Sequence, residues 1–404
     1  MDDVRRTIEA VARESYGRLL AYLSARMRDV AAAEDALGDA FVKALTTWPR
    51  DGLPQAPEAW MLTAARHRLI DRARRDQRLQ TASARALELI TAKAEAAPEP
   101  FPDERLKLMF VCAHPAIDPA VHTPLMLQTV LGLDAAGIAR AFLVSPAAMG
   151  QRLVRAKGKI RDAGIAFEMP EESELPRRLE AVLEAIYAAY GSGWEDAAGS
   201  DPRARGLADE AIWLARVLVQ RLPEEPEARG LLALILHCEA RRPARRAPGG
   251  GYVPLSEQDP ELWSRPMMEE AERELSAAAR QARPGRFQFE AAIQSVHAER
   301  ARNGRTDWRA IAAFYEHLVR LAPTLGARVG RAAAVAEVRG PEAGLALLDE
   351  IEPRAVCAYQ PYWAVRAHLL GRLGDKPQAR EAFDRAVGLT EDDAVRRYLL
   401  ERRG

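Results

Sequence analysis

Apolar side chains recur every three to four residues along most of the chain, the spacing that collects them on one face of an α-helix. Between about residues 7 and 78, Leu19, Leu20, Leu23 and Met27, then Ala36, Leu37, Ala40, Phe41, Ala44 and Leu45, mark closely spaced helices. Pro49, Gly52, Pro54 and Pro57 interrupt the pattern, and a further helix is predicted from about Glu58 to Arg75. An Ala-rich stretch of about 79–104, ending in Pro98, Pro100 and Pro102, reads as a weak helix followed by a linker. A second helical block covers about 105–163 and closes near Pro170. From about 175 onward, long amphipathic helices alternate with short Pro/Gly turns, and Pro248-Gly249-Gly250-Gly251-Tyr252 reads as a surface loop.

The last block carries an internal pattern. Ala367, Leu370, Gly374, Ala379, Phe383 and Ala386 follow the intervals of a tetratricopeptide unit, with small residues where two helices touch and a large one in the groove. Ala211, Ala215, Leu218 and Pro223 suggest the second helix of another unit, and the stretch from Gly340 to Pro353 a third. The expected fold is therefore all-α. Two small helical domains (1–78 and 105–170) flank a linker (79–104), and a helical-repeat domain occupies 171–404.

Composition agrees. With 48% apolar and 29% charged residues the chain is globular, and few aromatics (6%) among many helix formers favour helices. At 404 residues it is too long for one ordinary core. Formal charge is balanced, 58 basic against 58 acidic side chains, which argues against nucleic acid until the local distribution is considered. Three distant cysteines (Cys112, Cys238, Cys357) imply no disulfide framework and suit a reducing compartment. Met1-Asp2-Asp3 begins no secretory signal, and no run of about 18 apolar residues occurs, so a cytoplasmic protein is expected.

Local charge points to DNA. Asp134 can cap a short helix carrying Ile138, Ala139 and Phe142, Leu143-Val144 makes a turn, and Ser145-Pro146 starts a second helix. Ala139 allows a close crossing that Val144, Met149 and Leu153 plug. This is a helix-turn-helix whose second helix would enter the major groove. Its exposed face is expected to hold Ala147, Ala148, Gly150, Gln151, Arg152 and Arg155, followed by Lys157, Lys159 and Arg161. Residues 151–161 contain five basic side chains and no acid, which suits phosphate contacts, with Gln151 and Arg152 able to reach base edges. A solvated helix end supporting its own dipole is the competing reading.

A second basic helix spans Trp60 to Arg78. Its basic residues include Arg66, His67, Arg68, Arg74 and Arg75, Asp71 lies among them, and Leu62, Ala65, Leu69 and Ile70 form its buried face. Basic groups beside an aromatic suit unstacked bases of a single strand. Upstream, Glu34, Asp35, Asp39 and Phe41 lie on an acidic-apolar helix, which suits a protein partner better than DNA.

In this order these segments resemble the extracytoplasmic-function sigma factors of bacterial RNA polymerase. The resemblance implies that Glu34, Asp35, Asp39 and Phe41 contact core polymerase. It also implies that Trp60, Arg66, His67, Arg68, Asp71, Arg74 and Arg75 recognise and melt the minus-ten element, with the Trp48–Pro57 loop cradling a flipped base. Ala147, Ala148, Gly150, Gln151, Arg152, Arg155, Lys157 and Lys159 would read the minus-thirty-five element. The C-terminal part resembles the subgroup with a tetratricopeptide-like extension, through Phe110-Val111-Cys112-Ala113-His114-Pro115-Ala116, Phe167-Glu168-Met169-Pro170 and Ser256-Glu257-Gln258-Asp259 with Leu262-Trp263. Where many members carry Asn-Glu-Gly-Tyr, this chain has Tyr190-Gly191-Ser192-Gly193-Trp194-Glu195-Asp196. The implied partners are core polymerase, promoter DNA, and a protein or peptide on the repeats.

Two alternatives remain at this level: a helix-turn-helix regulator with a helical sensing domain, and a repeat scaffold. The first leaves Asp35, Asp39, Phe41 and the arginines from Arg66 to Arg75 without a role. Cys112, His114 and His122, and likewise His237-Cys238-Glu239, lack the paired spacing of a structural zinc site. No phosphate loop, nucleophile elbow or His-Glu-x-x-His occurs, so neither an enzyme nor a cofactor is expected. Most of Trp194, Trp213, Trp263, Trp308 and Trp363 are expected in packed cores.

Overall fold

A computed structural model describes residues 2–77, 101–142, 144–195 and 202–403. Among them the regular elements are helices, and the fold is all-α, as the 3.6-residue periodicity predicts. One isolated antiparallel bridge, Arg246 to Tyr252, closes the Gly249–Gly251 turn, with Gly250 in the left-handed region at φ 77°. No helix of the described residues is long and apolar enough to cross a membrane. The expected linker up to residue 100, and Leu143 of the helix-turn-helix, lie outside the described residues.

The chain divides into two compact units, one ending at Leu214 and the other running from Ala215. In the first, α1 (Asp2–Glu14), α2 (Tyr16–Met27), α3 (Val30–Asp51) and α4 (Pro57–Gln77) share a core. Leu19, Leu20, Leu23, Leu37, Trp48 and Met61 are each at most 1% exposed there. The Asp29 carboxylate accepts from the Ala32 N–H and fixes the start of α3. Contrary to the predicted break, α3 runs through Pro49 to Asp51, forgoing the one backbone bond that a Pro49 N–H would have made to the Leu45 carbonyl while its last turn buries Trp48. Trp48 is consequently a buried helical residue, meeting Trp60 edge-on at 5.3 Å, and not part of a loop. Leu45, expected on the apolar face, is 52% exposed.

Next come α5 (Arg105–Cys112), α6 (Pro119–Thr129), α7 (Ala135–Ala141) and α8 (Pro146–Asp162), then α9 (Leu175–Glu195) and α10 (Pro202–Arg221), within which the units divide. Phe110, Leu125, Met126, Ile138 and Ile160 are sealed among these helices. Within this unit α2 packs on α5 and α6, and α3 on α8. Gly17 permits the approach: a Cβ there would fall within 1.8 Å of the Val130 carbonyl oxygen.

The second unit continues with α11 (Pro226–Ala240), α12 (Arg265–Arg280), α13 (Arg286–Ala298), α14 (Arg300–Asn303), α15 (Trp308–Leu321), α16 (Leu325–Arg339), α17 (Pro341–Asp349), α18 (Pro353–Val356), α19 (Gln360–Arg372), α20 (Lys376–Leu389) and α21 (Asp393–Arg403). From α15 to α21 the longer helices pack on their neighbours in sequence as hairpins. Ala367, Leu370, Ala379 and Ala382 form the contact between α19 and α20, with Phe383 packed beside them. Gly374 (φ 79°) and the Asp375 cap turn the chain between these helices. At Gly344 of α17 a Cβ would meet Ala336 at 2.7 Å, so a small residue is required at that crossing.

Candidate nucleic-acid interface

The helix-turn-helix is built by two local caps. The Asp134 carboxylate accepts from the Gly137 N–H at 2.6 Å and starts α7, and the Ser145 hydroxyl accepts from the Ala148 N–H at 3.2 Å and starts α8 ahead of Pro146. Ala139, Met149 and Leu153, each 1% exposed, fill the crossing, and Val144 is half-buried. Phe142, expected on the first of the two helices, is 37% exposed. It follows the C-terminal end of α7 and misses the buried face.

Along α8, Ala147, Gln151, Arg152, Arg155 and Lys159 are exposed, and Ala148 and Gly150 half-buried. Arg161 is held by its neighbour Asp162 at 2.9 Å. Lys157 departs from the expected exposed face. It is 6% exposed, and its Nζ donates to the Glu34 carboxylate of α3. The reason is helical phase: Lys157 follows Leu153 and Ala156 on the buried side of α8, which faces α3. Val154, which the sequence pattern did not single out, is 65% exposed between Gln151 and Arg155. Only a three-dimensional phase for the helix reveals it.

On α3, Asp35 and Asp39 are exposed and Glu34 half-buried. Besides Lys157, Glu34 accepts from the Tyr16 phenol at 3.4 Å; burial and then the Glu34 charge push the phenol pKa up. Asp39 takes the Arg68 Nε of α4 at 2.5 Å, so two of the acidic residues are engaged by two of the basic ones. Phe41 is half-buried and packs against the first core.

On α4, Leu62, Ala65, Leu69 and Ile70 form the buried face, each at most 9% exposed. His67, Arg68 and Asp71 are exposed, while Trp60 is half-buried against Trp48. Arg66 is half-buried: its Nη2 donates to the Tyr22 hydroxyl and its Nε is sealed without a partner. The side chains of Arg74 and Arg75 lie outside the described residues.

Arg66 belongs to a cluster that the sequence reading did not assemble. Arg26 lies over the Tyr22 ring at 3.5 Å, Phe101 meets the same ring edge-on at 5.1 Å, and Arg18 lies over Phe101 at 4.5 Å. Burial, opposed by the Tyr22 group, holds the Arg26 pKa below its usual value. The Arg18–Tyr22–Arg26 spacing of four was visible in the sequence, but that Arg66 and Phe101 join it was not.

The residues considered as metal ligands have other occupations. The Cys112 thiol is buried 3.6 Å from the Thr129 hydroxyl, the His114 Nδ1 accepts from the Ala116 N–H, and His122 Nε2 meets the Ile117 carbonyl. His237 lies 3.3 Å from Glu272. No group of three or more His, Cys, Asp or Glu that could hold a metal ion occurs among the described residues.

Residues 11–79 match the family described as sigma-70 region 2, and residues 178–279 match a family of unknown function (DUF6596). An uncharacterized protein of Rhizobium meliloti (strain 1021) is 39% identical over 392 residues, covering 96% of this chain and 92% of that protein. No solved structure matches the chain. Sigma-70 region 2 takes in the end of α1 and all of α2, α3 and α4, which carry Asp35, Asp39 and the α4 arginines, and it implies core RNA polymerase and promoter DNA as partners. The chain thus belongs to the family of the Rhizobium meliloti protein and carries, at its N-terminus, the region 2 of an RNA polymerase sigma factor.

Proposed function

We propose that the chain is an alternative sigma factor of the extracytoplasmic-function type. In this reading residues 1–78 bind core polymerase and the minus-ten element, 79–104 link, 105–170 read the minus-thirty-five element, and 171–404 form a tetratricopeptide-like regulatory domain. The observation that carries it is a doubly capped helix-turn-helix with Gln151, Arg152, Arg155 and Lys159 exposed on one helix, in the same chain as a sigma-70 region 2. Arginine and lysine there neutralise phosphates and Gln151 reads a base edge. Val154 adds an apolar contact of the kind a thymine methyl accepts. Asp35 and Asp39 contact the polymerase, and the α4 residues hold unstacked minus-ten bases better than duplex. The factor thereby stabilises the open complex by differential binding, with no chemistry of its own.

The test is in vitro transcription: purified chain, core polymerase and a promoter library, with start sites mapped. Specific initiation is expected, and the double variant Asp35→Lys, Asp39→Lys is expected to lose at least about tenfold in core affinity, as reversal of two interface charges would give. A chain that shifts duplex DNA but never initiates is a plain regulator. Unchanged core binding by the double variant also overturns the reading.

A further inference from the structure

Two arginines of the second unit lack the counter-charge that burial normally demands. Arg241, at the end of α11, is 7% exposed. Its Nε donates to the His237 carbonyl at 3.1 Å, and its Nη2 reaches the Gln294 Oε1 at 2.5 Å and the Cys238 sulfur at 3.7 Å. All three acceptors are neutral. Arg300, at the start of α14, is half-buried and donates to the backbone carbonyls of Ser256 and Gln258, both at 2.6 Å. Among the described residues neither guanidinium has a carboxylate within ion-pair distance, although such pairs are common elsewhere in this unit, as at Arg229–Glu274 and Arg246–Asp392.

Arg241 acts on Arg300, and both act on a third group. Burial and then Arg241 hold the Arg300 pKa below its ordinary value. Burial, Arg241 and Arg300 in turn push the His297 imidazole down to about 4, so it is neutral at physiological pH. Gln294 and His297 stand one turn apart on α13, and Arg300 follows on the next turn; Gln294 meets Arg241 at the end of α11, Arg300 meets the 253–263 segment, and the His297 ring between them meets Trp308 edge-on at 5.4 Å. That segment supplies Trp263, 5% exposed, with the Arg300 guanidinium 5.3 Å from its ring centre. The indole N–H of Trp263 is buried with no hydrogen-bond partner. A sealed donor left without a partner is destabilising, and an unpaired buried charge more so.

Acids of the neighbouring elements have other partners: Glu272 accepts from Ser295 and faces His237, Glu290 pairs with Arg286, Glu257 pairs with Arg402, and Asp259 accepts from the Glu261 N–H. A site with two guanidiniums, a neutral imidazole and an unused indole N–H, and without a carboxylate, is built to accept an oxyanion from outside. Guanidinium forks match phosphate geometry bidentately.

We infer that Arg241, Arg300, His297 and Trp263 form a binding site for a phosphate group, free or carried by a small metabolite. This goes beyond the sigma-factor reading and does not depend on it. Bound phosphate would tie α11, the α13–α14 corner and the 253–263 segment together, and so stiffen that part of the unit.

The experiment is thermal unfolding of the full chain, titrated with inorganic phosphate or ribose 5-phosphate against sodium chloride at matched ionic strength. Phosphate at tenfold its Kd is expected to raise the midpoint by about 3 °C, saturably. Arg300→Gln, at a half-exposed position that should fold normally, is expected to abolish the rise, and Arg300→Lys to retain part of it. Tryptophan fluorescence should respond to phosphate in the native chain and not in Trp263→Phe. A greater effect of ribose 5-phosphate than of phosphate assigns the site to a metabolite, and the reverse to the free ion. No effect beyond that of chloride, or an equal rise in Arg300→Gln, overturns the site.

Discussion

Lys157 and Glu34 are 123 residues apart in sequence, yet each supplies the other's counter-charge. Their burial is unequal: the lysine side chain is 7% exposed and the glutamate 26%. The two partners should therefore not be equivalent on removal. Glu34→Ala strands an ammonium inside the protein, whereas Lys157→Met keeps the packing and leaves a carboxylate that water can still reach. Urea unfolding is expected to give a loss of about 3 kcal/mol for Glu34→Ala and less than half of that for Lys157→Met. Equal losses would mean that the pair is effectively solvated. Arg66 makes the same point for α4: a residue that the sequence places among DNA contacts spends its guanidinium on the Tyr22 hydroxyl.

Helices α7 and α8 owe their existence to groups close by in sequence, and that is why they were legible. Asp134 and Ser145 each cap an N–H three residues on, and Pro146 occupies the first helical turn where its missing N–H costs nothing. What the pattern could not supply was the phase of α8 against its neighbours, which buries Lys157 and leaves Val154 outside. Three substitutions separate the contributions. Leu153→Ala, which empties the helix crossing, is expected to cost 2–5 kcal/mol by urea unfolding. Ser145→Ala should cost about 1 kcal/mol. Val154→Ala should stay within about 0.5 kcal/mol while weakening promoter binding. Proline taught the opposite lesson: Pro49 reads as a breaker, but two residues from the end of α3 it is tolerated, and that moved Trp48 from a loop to the core.

In the folded chain the two compact units divide inside α10, at Leu214, whereas the helical pattern of the sequence pauses near Pro170. The first unit reaches that far because Arg105 of α5, 7% exposed, is held by Asp103 and by Glu210 of α10, with its guanidinium 4.1 Å from the ring centre of Trp213. A truncation near residue 175 would remove two of these partners and confound loss of regulation with loss of packing. A chain ending after Arg221 keeps them. If the remaining helices regulate initiation, that shortened chain should change promoter output in vitro at least severalfold while still binding core polymerase. Identical output at every promoter would leave those helices without a regulatory role.

By itself the sequence determined what local chemistry can determine: the helical class, the two caps of the helix-turn-helix, the buried face of α4, and the small residues at the α19–α20 contact. Each depends on neighbours within a few residues, where periodicity and capping act. Tertiary structure decided the pairings over long separations, Glu34 with Lys157, Arg66 with Tyr22, and Arg241 acting on Arg300 without a carboxylate. Charge and burial there depend on how helices distant in sequence are rotated and stacked, and a one-dimensional pattern leaves that rotation open.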